Sequence, residues 1–378
     1  MTLTLVSLIL FFYTAASLFL FTPYRPCVKC LGAALLLFAS QKFLLYRYAG
    51  GDFFAPELPG SVLLLMEWLY GALILLFFML LLKDVCLLLL WFSRLVGTSW
   101  SFPLAMTPFK ASMVTLALLL GLWGTWQSVR LPDVRSVDLH IADLPPGLDG
   151  FSIVQLSDLH IGPILNKEWL QQVVERANSA LPDLIVLTGD HIDGRVAALR
   201  DEVAPLAGLR AEYGVYGVAG NHEYYWGGAE WSAFLEELGV TMLDNEHRVL
   251  AIGADRLVLV GLPDHTAQRF GAEGPNIDKA VQGAPDATRI LLAHRPRDAR
   301  AHSPYVDVHL AGHTHGGMVN FLRPLIARFN NGFVAGTYTV DGMQLSISSG
   351  TGVWSGFSFR IGVPAEITRV VLRAKGQA

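Results

Sequence analysis

The segment LAGHTHGG, residues 310–317, sets His313 and His315 one residue apart between glycines. In an extended backbone, residues i and i+2 point to the same side. Both imidazoles are therefore expected to reach one point in space, with the glycines allowing close approach and a turn. An isolated HxH is more often a turn carrying two surface histidines, so what matters is whether the chain supplies partners. Asp158 and His160 follow FSIVQLS (151–157), and Asp190 ends DLIVLTGD (183–190). Asn221, His222 and Glu223 end VYGVAGNHE (215–223), and His294 lies in RILLAHRP (289–296), just before VHLAGHTHGG. Each cluster comes after a hydrophobic run that reads as a buried strand. The carboxyl ends of such strands are where α/β folds assemble their sites. The donor inventory is Asp158, His160, Asp190, Asn221, His294, His313 and His315. It contains no thiolate, and carboxylate, imidazole and amide oxygen together suit Mn, Fe or Zn. Seven donors are too many for one ion and suit two ions sharing a bridge. Such a pair, about 3.5–4 Å apart, clamps the oxygens of an in-line phosphoryl displacement and generates hydroxide at neutral pH.

The elements that must position these donors occupy only part of the chain. Of 378 residues, 52% are hydrophobic, and the mean hydropathy is +0.42. Residues 1–130 carry 8 Lys/Arg against 4 Asp/Glu, whereas residues 131–378 carry 20 against 28. All 11 histidines lie in the second part and all 3 cysteines in the first. The pattern is a membrane module (1–130) joined to an acidic, histidine-bearing domain (131–378). An excess of acidic residues leaves no basic footprint for nucleic acid. Cys27 and Cys30 form a CxxC with no further Cys or His nearby, which disfavours a zinc site. In the second part, Asn166 is a plausible N-cap for a helix running to about Ala180, and residues 229–238 look helical. Residues 249–262 read as a hairpin around Gly253–Asp255, and the tail, 333–373, alternates like antiparallel strands with turns at Asp341-Gly342 and Gly350–Gly352.

A spanning helix needs about 20 mostly apolar residues. Residues 3–21, 31–48, 62–82 and 111–128 are expected to span, about four helices in all. Lys42 and Arg47 interrupt the second of these and are expected to snorkel. Residues 85–92 read as a continuation of the third helix or as an interfacial segment. The first span lacks the basic start and small-residue cleavage site of a signal peptide. Arg25 and Lys29 follow it, and Lys83, Arg94 and Lys110 precede the last span, so the positive-inside rule places both loops in the cytoplasm. Four spans starting outside end outside, although Lys42, Arg47 and Arg130 count against this orientation. Glu67, inside a span, reads either as an interior-facing carboxylate or as a functional mark.

Taken in order, DLH, GDHID, GNHE, the His of LLAHRP and GHTHGG resemble the five motifs of the calcineurin-like metallophosphoesterases. The resemblance covers about residues 148–373, including the tail SSGTGVWSGFSFRIGVPAEIT. It looks closest to a bacterial membrane-associated branch, some members of which are UDP-2,3-diacylglucosamine pyrophosphatases. The amino-terminal module lies outside the family pattern. The resemblance implies an α/β fold of two packed mixed β-sheets flanked by helices, here preceded by an all-α transmembrane module. It also implies two divalent metal ions. Asp158, His160, Asp190 and His315 would hold the first; Asp190, Asn221, His294 and His313 would hold the second, with Asp190 bridging. His222 would serve as proton donor or charge stabiliser, oriented by Asp193.

Some residues stay open at this level. His191 lines the pocket or sits on the surface. Arg295 and Arg297 meet phosphate or form a solvated turn. Tyr224, Tyr225 and Trp226 contact substrate or pack the loop. His140, His247, His265, His302 and His309 match no motif and are treated as structural. Phe321, Leu322, Leu325, Ile326 and Phe329 share one helical face near Arg323 and Arg328; the segment either dips into the membrane or packs on the domain. The leading expectation is a membrane-anchored dinuclear phosphoesterase of the bacterial inner membrane. Its catalytic domain would be extracytoplasmic and its substrate phosphorylated, with a lipid-linked one favoured by the tether. A cytoplasmic UDP-2,3-diacylglucosamine pyrophosphatase and a non-catalytic scaffold are the alternatives.

Overall fold

The structure, a computed structural model, describes residues 2–20, 22–51, 56–97 and 106–375. The chain forms two compact units, Met1–Gln127 with Gly356–Phe359 and Ser128–Ser355 with Arg360–Ala378.

The first unit is helical: α1 (Thr2–Phe19), α2 (Pro26–Ser40), α3 (Lys42–Ala49), α4 (Gly60–Leu95) and most of α5 (Thr107–Val129). About four spans are expected from the sequence in this part of the chain. Among the described residues, α4 and α5 are by themselves long and apolar enough to cross a membrane, and α2 with α3 makes a third if the bent pair is one span. The expected 3–21 span corresponds to α1, 18 residues long; residue 21 lies outside the described residues. The expected 31–48 span is broken, since α2 and α3 meet at Gln41 with a bend of 60°. The bend has a visible electrostatic counterpart. Lys42 does not snorkel but is fully buried, its Nζ 2.8 Å from both Glu67 oxygens. Glu67 is likewise buried, the interior-facing alternative read above. Residues 85–92 do continue the third helix, giving α4 its 36 residues. The mid-helix pair Lys83–Asp84 is accommodated because Asp84 accepts from Tyr13 and Ser17, and Lys83 donates to Ser17.

The second unit contains two six-stranded sheets. The first runs β1 (Asp133–Ile141), β12 (Glu366–Ala374), β2 (Ser152–Leu156), β3 (Leu184–Leu187), β4 (Val215–Gly217), β5 (Thr241–Met242). The second runs β10 (Gly336–Val340), β11 (Met343–Ile347), β9 (Val308–Ala311), β8 (Thr288–Leu292), β7 (Asp255–Gly261), β6 (Glu246–Ile252). β2 to β5 pair in parallel, as do β7, β8 and β9, while β12–β2, β6–β7 and β10–β11 are antiparallel. Period-two alternation divides β7 and β8 between two cores. Leu257, Leu259, Ile290 and Leu292 join Ile153, Leu184 and Val186 between the sheets. Val258, Val260 and Leu291 face the opposite way, into a cluster with Leu345, Ala280 and Ala299. Each such side chain contributes about 1.5–3 kcal/mol when fully buried.

The helices of this unit are α6 (Lys167–Ser179), α7 (Val196–Val203), α8 (Asn221–Tyr225), α9 (Gly228–Glu237), α10 (Ile277–Val281), α11 (Ala299–His302) and α12 (Arg323–Phe329). Asn166 caps α6, its side chain accepting from Trp169 N, and Trp169, Leu170, Val173, Val174 and Ala177 form the buried face. Two expectations change. The strand expected over 215–223 stops at Gly217, and Asn221-His222-Glu223 instead opens α8. The tail is not a continuous antiparallel meander. A β10–β11 hairpin turns at Asp341 and Gly342, both with positive φ as a type I′ turn requires. Residues 348–365 are then irregular except for one isolated bridge, and β12 pairs with β1 in parallel.

Candidate metal centre

The donor residues meet where β2, β3 and β4 of one sheet and β8 and β9 of the other reach their carboxyl ends. Donor atoms gather within 4.8 Å of one another in three groups: Asp158–His160–His315, Asp190–His294–His313, and His160–Asp193–His222. His313 and His315 therefore belong to different groups. The extended-strand reason for their pairing fails, because β9 ends at Ala311 and both histidines have positive φ, 68° and 47°. Asp158, His160 and Asp190 share this left-handed backbone, with φ of 55°, 48° and 54°. Such conformations are sparse for non-glycine residues and cost about 1–3 kcal/mol each. Five of the seven predicted donors pay that cost, so their aim is set by tight turns rather than by strand pleat. The approach is close throughout: a Cβ on Gly189 would sit 2.6 Å from Gly220 N and 2.8 Å from His294 Nδ1.

Three histidines are oriented alike. His160 Nδ1 and His222 Nδ1 lie 2.8 and 2.7 Å from the same Asp193 oxygen, and His294 Nδ1 lies 2.8 Å from the Thr188 carbonyl. These oxygens accept, so Nδ1 carries a proton and Nε2 faces inward. Asp193 thus orients His160 as well as the expected His222, while Ser355 N–H donates to its other oxygen at 3.1 Å. Asp190 Oδ2 lies 3.1 Å from His294 Nε2 and 3.8 Å from His160 Nε2, between the two principal groups. Asp158 accepts from Ser157 Oγ and from His313 N–H.

Buried carboxylates dominate the electrostatics. Burial opposes ionisation of Asp193, but His160 and His222 lower it to about 2. Burial likewise opposes protonation of His222, yet Asp190 and Asp193 push it up to about 9. Asp190 and Asp158 push His294 up to about 10, again against burial. His313 and His315 are held well below the ordinary imidazole range by burial, then by Arg295 and His294 for the former and by His160 and Arg360 for the latter. Carboxylates that draw protons onto two histidines, beside neutral imidazoles with free lone pairs, make a donor set that fits divalent cations.

Other residues acquire roles that the motifs alone did not show. Glu223, the last residue of GNHE, is fully buried and ties three backbone N–H groups together, those of Asp190, His191 and Gly220. Arg295 is held by Asp264 at 2.6 Å and donates to Asn221 Oδ1 at 3.0 Å, so it belongs to this site. Asn221 adjoins the second group through the His222 N–H to Asp190 bond, 2.8 Å. Arg297 stays largely exposed. His191 is buried with Nδ1 3.2 Å from Glu223, not on the surface. Tyr224 packs with Ala219 and Ala267, while the Tyr225 ring lies 5.4 Å from His222. From the tail, the Trp354 ring sits 5.0 Å from His315 and 6.1 Å from His160, and buried Arg360 donates to the His315 carbonyl. His302 and His309 are buried away from the donors, His247 bonds the Ala280 carbonyl, His265 pairs with Asp298 and His140 is exposed.

A family model described as calcineurin-like phosphoesterase matches residues 151–317. A Bos taurus transmembrane protein with metallophosphoesterase domain is 37% identical over 285 residues, covering 72% of this chain and 63% of its own length. The chain therefore spans less than two thirds of that relative. A Helicobacter pylori metallophosphoesterase (strain J99) is 32% identical over 269 residues, 70% of either chain. One from Aquifex aeolicus is 31% identical over 265 residues, covering 69% of this chain and 99% of its own. With the motifs in order, the donors gathered at the sheet edges and relatives matched over most of their length, this chain belongs to the calcineurin-like metallophosphoesterase family.

Proposed function

We propose that this protein is a membrane-held phosphoesterase that hydrolyses a phosphate ester or pyrophosphate at a dinuclear metal centre. The observation that carries the reading is the pair of adjacent donor groups, Asp158–His160–His315 and Asp190–His294–His313, with Asp190 between them. Asp158, His160 and His315 would hold one ion, and Asn221, His294 and His313 the other, with Asp190 shared. When bound, two divalent ions supply Lewis acidity toward phosphoryl oxygens and lower the pKa of water. The chain's own residues do the rest. Asp193 holds His160 and His222 with Nε2 inward. His222, protonated at neutral pH by its carboxylate neighbours, donates its Nε2 proton to the leaving oxygen. Arg295, fixed by Asp264, keeps the Asn221 amide oriented and adds positive charge beside the phosphoryl site.

The substrate reading follows from tethering: an active site on a membrane-spanning chain favours a lipid-linked phosphate. Arg94 lies in the last turn of α4, before the loop that leads to α5, with Lys83 earlier on α4 and Lys110 in the first turn of α5. The positive-inside rule puts that loop in the cytoplasm and the phosphoesterase unit outside, whether or not α1 spans. Paired alkaline phosphatase and fluorescent-protein fusions after Ala378 test the side. A cytoplasmic terminus would replace envelope lipids with UDP-2,3-diacylglucosamine as first substrate. For the chemistry, full-length protein in detergent is stripped with chelator and titrated with Mn2+, measuring bound metal and hydrolysis of bis-p-nitrophenyl phosphate. Two ions per chain and metal-dependent turnover, both lost in Asp190→Asn, are expected. Absence of both in the wild type would leave the scaffold reading standing.

A further inference from the structure

The buried Lys42–Glu67 pair of the helical unit has every hydrogen-bonding site filled, and two of its bonds go to a segment remote in sequence. Lys42 Nζ donates to both Glu67 oxygens at 2.8 Å and to the Gly356 carbonyl at 2.9 Å, using its three protons. Glu67 also accepts from Tyr46 OH at 2.7 Å and from Ser358 N–H at 3.0 Å. The Phe43, Tyr70 and Phe357 rings surround the ammonium at 4.9, 4.3 and 5.1 Å. Phe357 packs, together with Leu36, Phe43, Ile74 and Phe77, against the cluster of Leu10, Tyr70 and Leu73, and Phe359 is fully buried where Gly71 and Gly124 leave no room for a Cβ. Residues 356–359 are thus built into the helical unit by charge, aromatic contact and shape together.

The residues covalently joined to this segment touch the metal centre at both ends. Ser355 N–H donates to Asp193, and the Trp354 ring lies against His315 and His160. Arg360 donates to the His315 and Gly352 carbonyls. A buried ion pair is a poor source of stability, because apolar residues of like volume serve as well. What it supplies here is a fixed position for the Gly356 carbonyl and the Ser358 N–H.

We propose that Lys42 and Glu67 are positioning residues of the phosphoesterase site: they clamp residues 356–359 and thereby hold Trp354, Ser355 and Arg360 against the metal-ligating histidines. The inference rests on the dinuclear reading above. Its test uses full-length protein in detergent, comparing wild type, Lys42→Met/Glu67→Met and the milder Tyr46→Phe. Hydrogen–deuterium exchange is followed over residues 353–361, Mn2+ affinity by electron paramagnetic resonance, and KM and kcat with bis-p-nitrophenyl phosphate. In the double variant, exchange over the segment should rise about tenfold. Mn2+ affinity should fall about tenfold, the range seen when groups behind metal ligands are removed. Tyr46→Phe should fall between, and it carries the same readouts if the double variant does not fold. Unchanged exchange, or faster exchange with Mn2+ affinity and KM intact, overturns the clamp alone. A wild type that binds no Mn2+ overturns the dinuclear reading and the clamp with it.

Discussion

Each unit of this protein buries a cluster of charged groups, and the two are built on opposite plans. In the helical unit, one ammonium meets one carboxylate, and the surrounding hydroxyl, carbonyl and N–H groups complete both. In the phosphoesterase unit, Asp158, Asp190, Asp193 and Glu223 are all buried among histidines, with no lysine among them. The first cluster is closed and calls for nothing further. The second takes up protons on His222 and His294, because its carboxylates exceed its fixed cations. Backbone conformation follows the same division: the left-handed turns at Asp158, His160, Asp190, His313 and His315 lie in the open cluster. On the readings proposed above, the closed pair positions the chain and the open cluster binds metal.

That contrast can be broken in several places. The largest effect expected is from chelation, which should abolish turnover and lower the melting temperature of the phosphoesterase unit while leaving helicity of the membrane unit intact. Saturating metal at a hundred times its Kd is worth about 2.7 kcal/mol of stability; identical calorimetric traces with and without chelator would contradict an open cluster. Next, His222→Ala should cost about 10²–10⁴-fold in kcat, the range of a lost general acid. Metal content should stay near wild type, which separates His222 from the donors. Asp193→Asn disturbs two imidazoles, so about 10–100-fold in metal affinity is expected, read by Mn2+ titration.

In the closed cluster, Lys42→Met alone leaves Glu67 uncompensated and should destabilise the full-length protein by about 3–5 kcal/mol. The double replacement with Glu67→Met should recover most of it, as followed by thermal unfolding in detergent. A smaller effect concerns acid. Burial lowers His309 to about 3, so the folded chain keeps this imidazole neutral. The unfolded chain binds a proton below about pH 6.5, hence stability is complete above that value and falls as the pH drops toward 3. In chelator, His309→Gln should flatten the difference between melts at pH 7 and 4.5; an unaltered slope would assign the acid lability elsewhere. The smallest effect is at α12, where Leu325 and Phe329 are exposed. Phe329→Ser should leave hydrolysis of a soluble ester unchanged and reduce that of a bilayer-embedded one a few-fold. Equal loss on both would tie the helix to the site itself.

The sequence exposed the donors more readily than the means of aiming them. Asp158, His160, Asp190, His294, His313 and His315 stand after hydrophobic strands, and strand ends in a two-sheet fold face one edge, so their convergence was legible. The geometry that separates His313 from His315 was not, because a left-handed turn leaves no periodic trace. Glu223 stood inside a recognised motif, yet its three backbone partners come from segments that only the fold unites. The burial of Lys42 was hidden for a related reason. Hydropathy sees Lys42 as an interruption to be carried to the surface, since its buried partner, Glu67, lies 25 residues away in sequence.

What the amino-acid sequence determined alone is therefore the chemistry on offer: the donor types, their order along the chain and the contrast between an apolar first part and an acidic, histidine-bearing second part. These depend on residue type and short-range periodicity, which the chain states directly. Tertiary structure decided which histidine joins which group, that one carboxylate at Asp193 serves two imidazoles, and that residues 356–359 are held by a lysine more than 300 positions earlier. Those outcomes rest on contacts between segments far apart in sequence, where distance and direction exist only after the chain has folded.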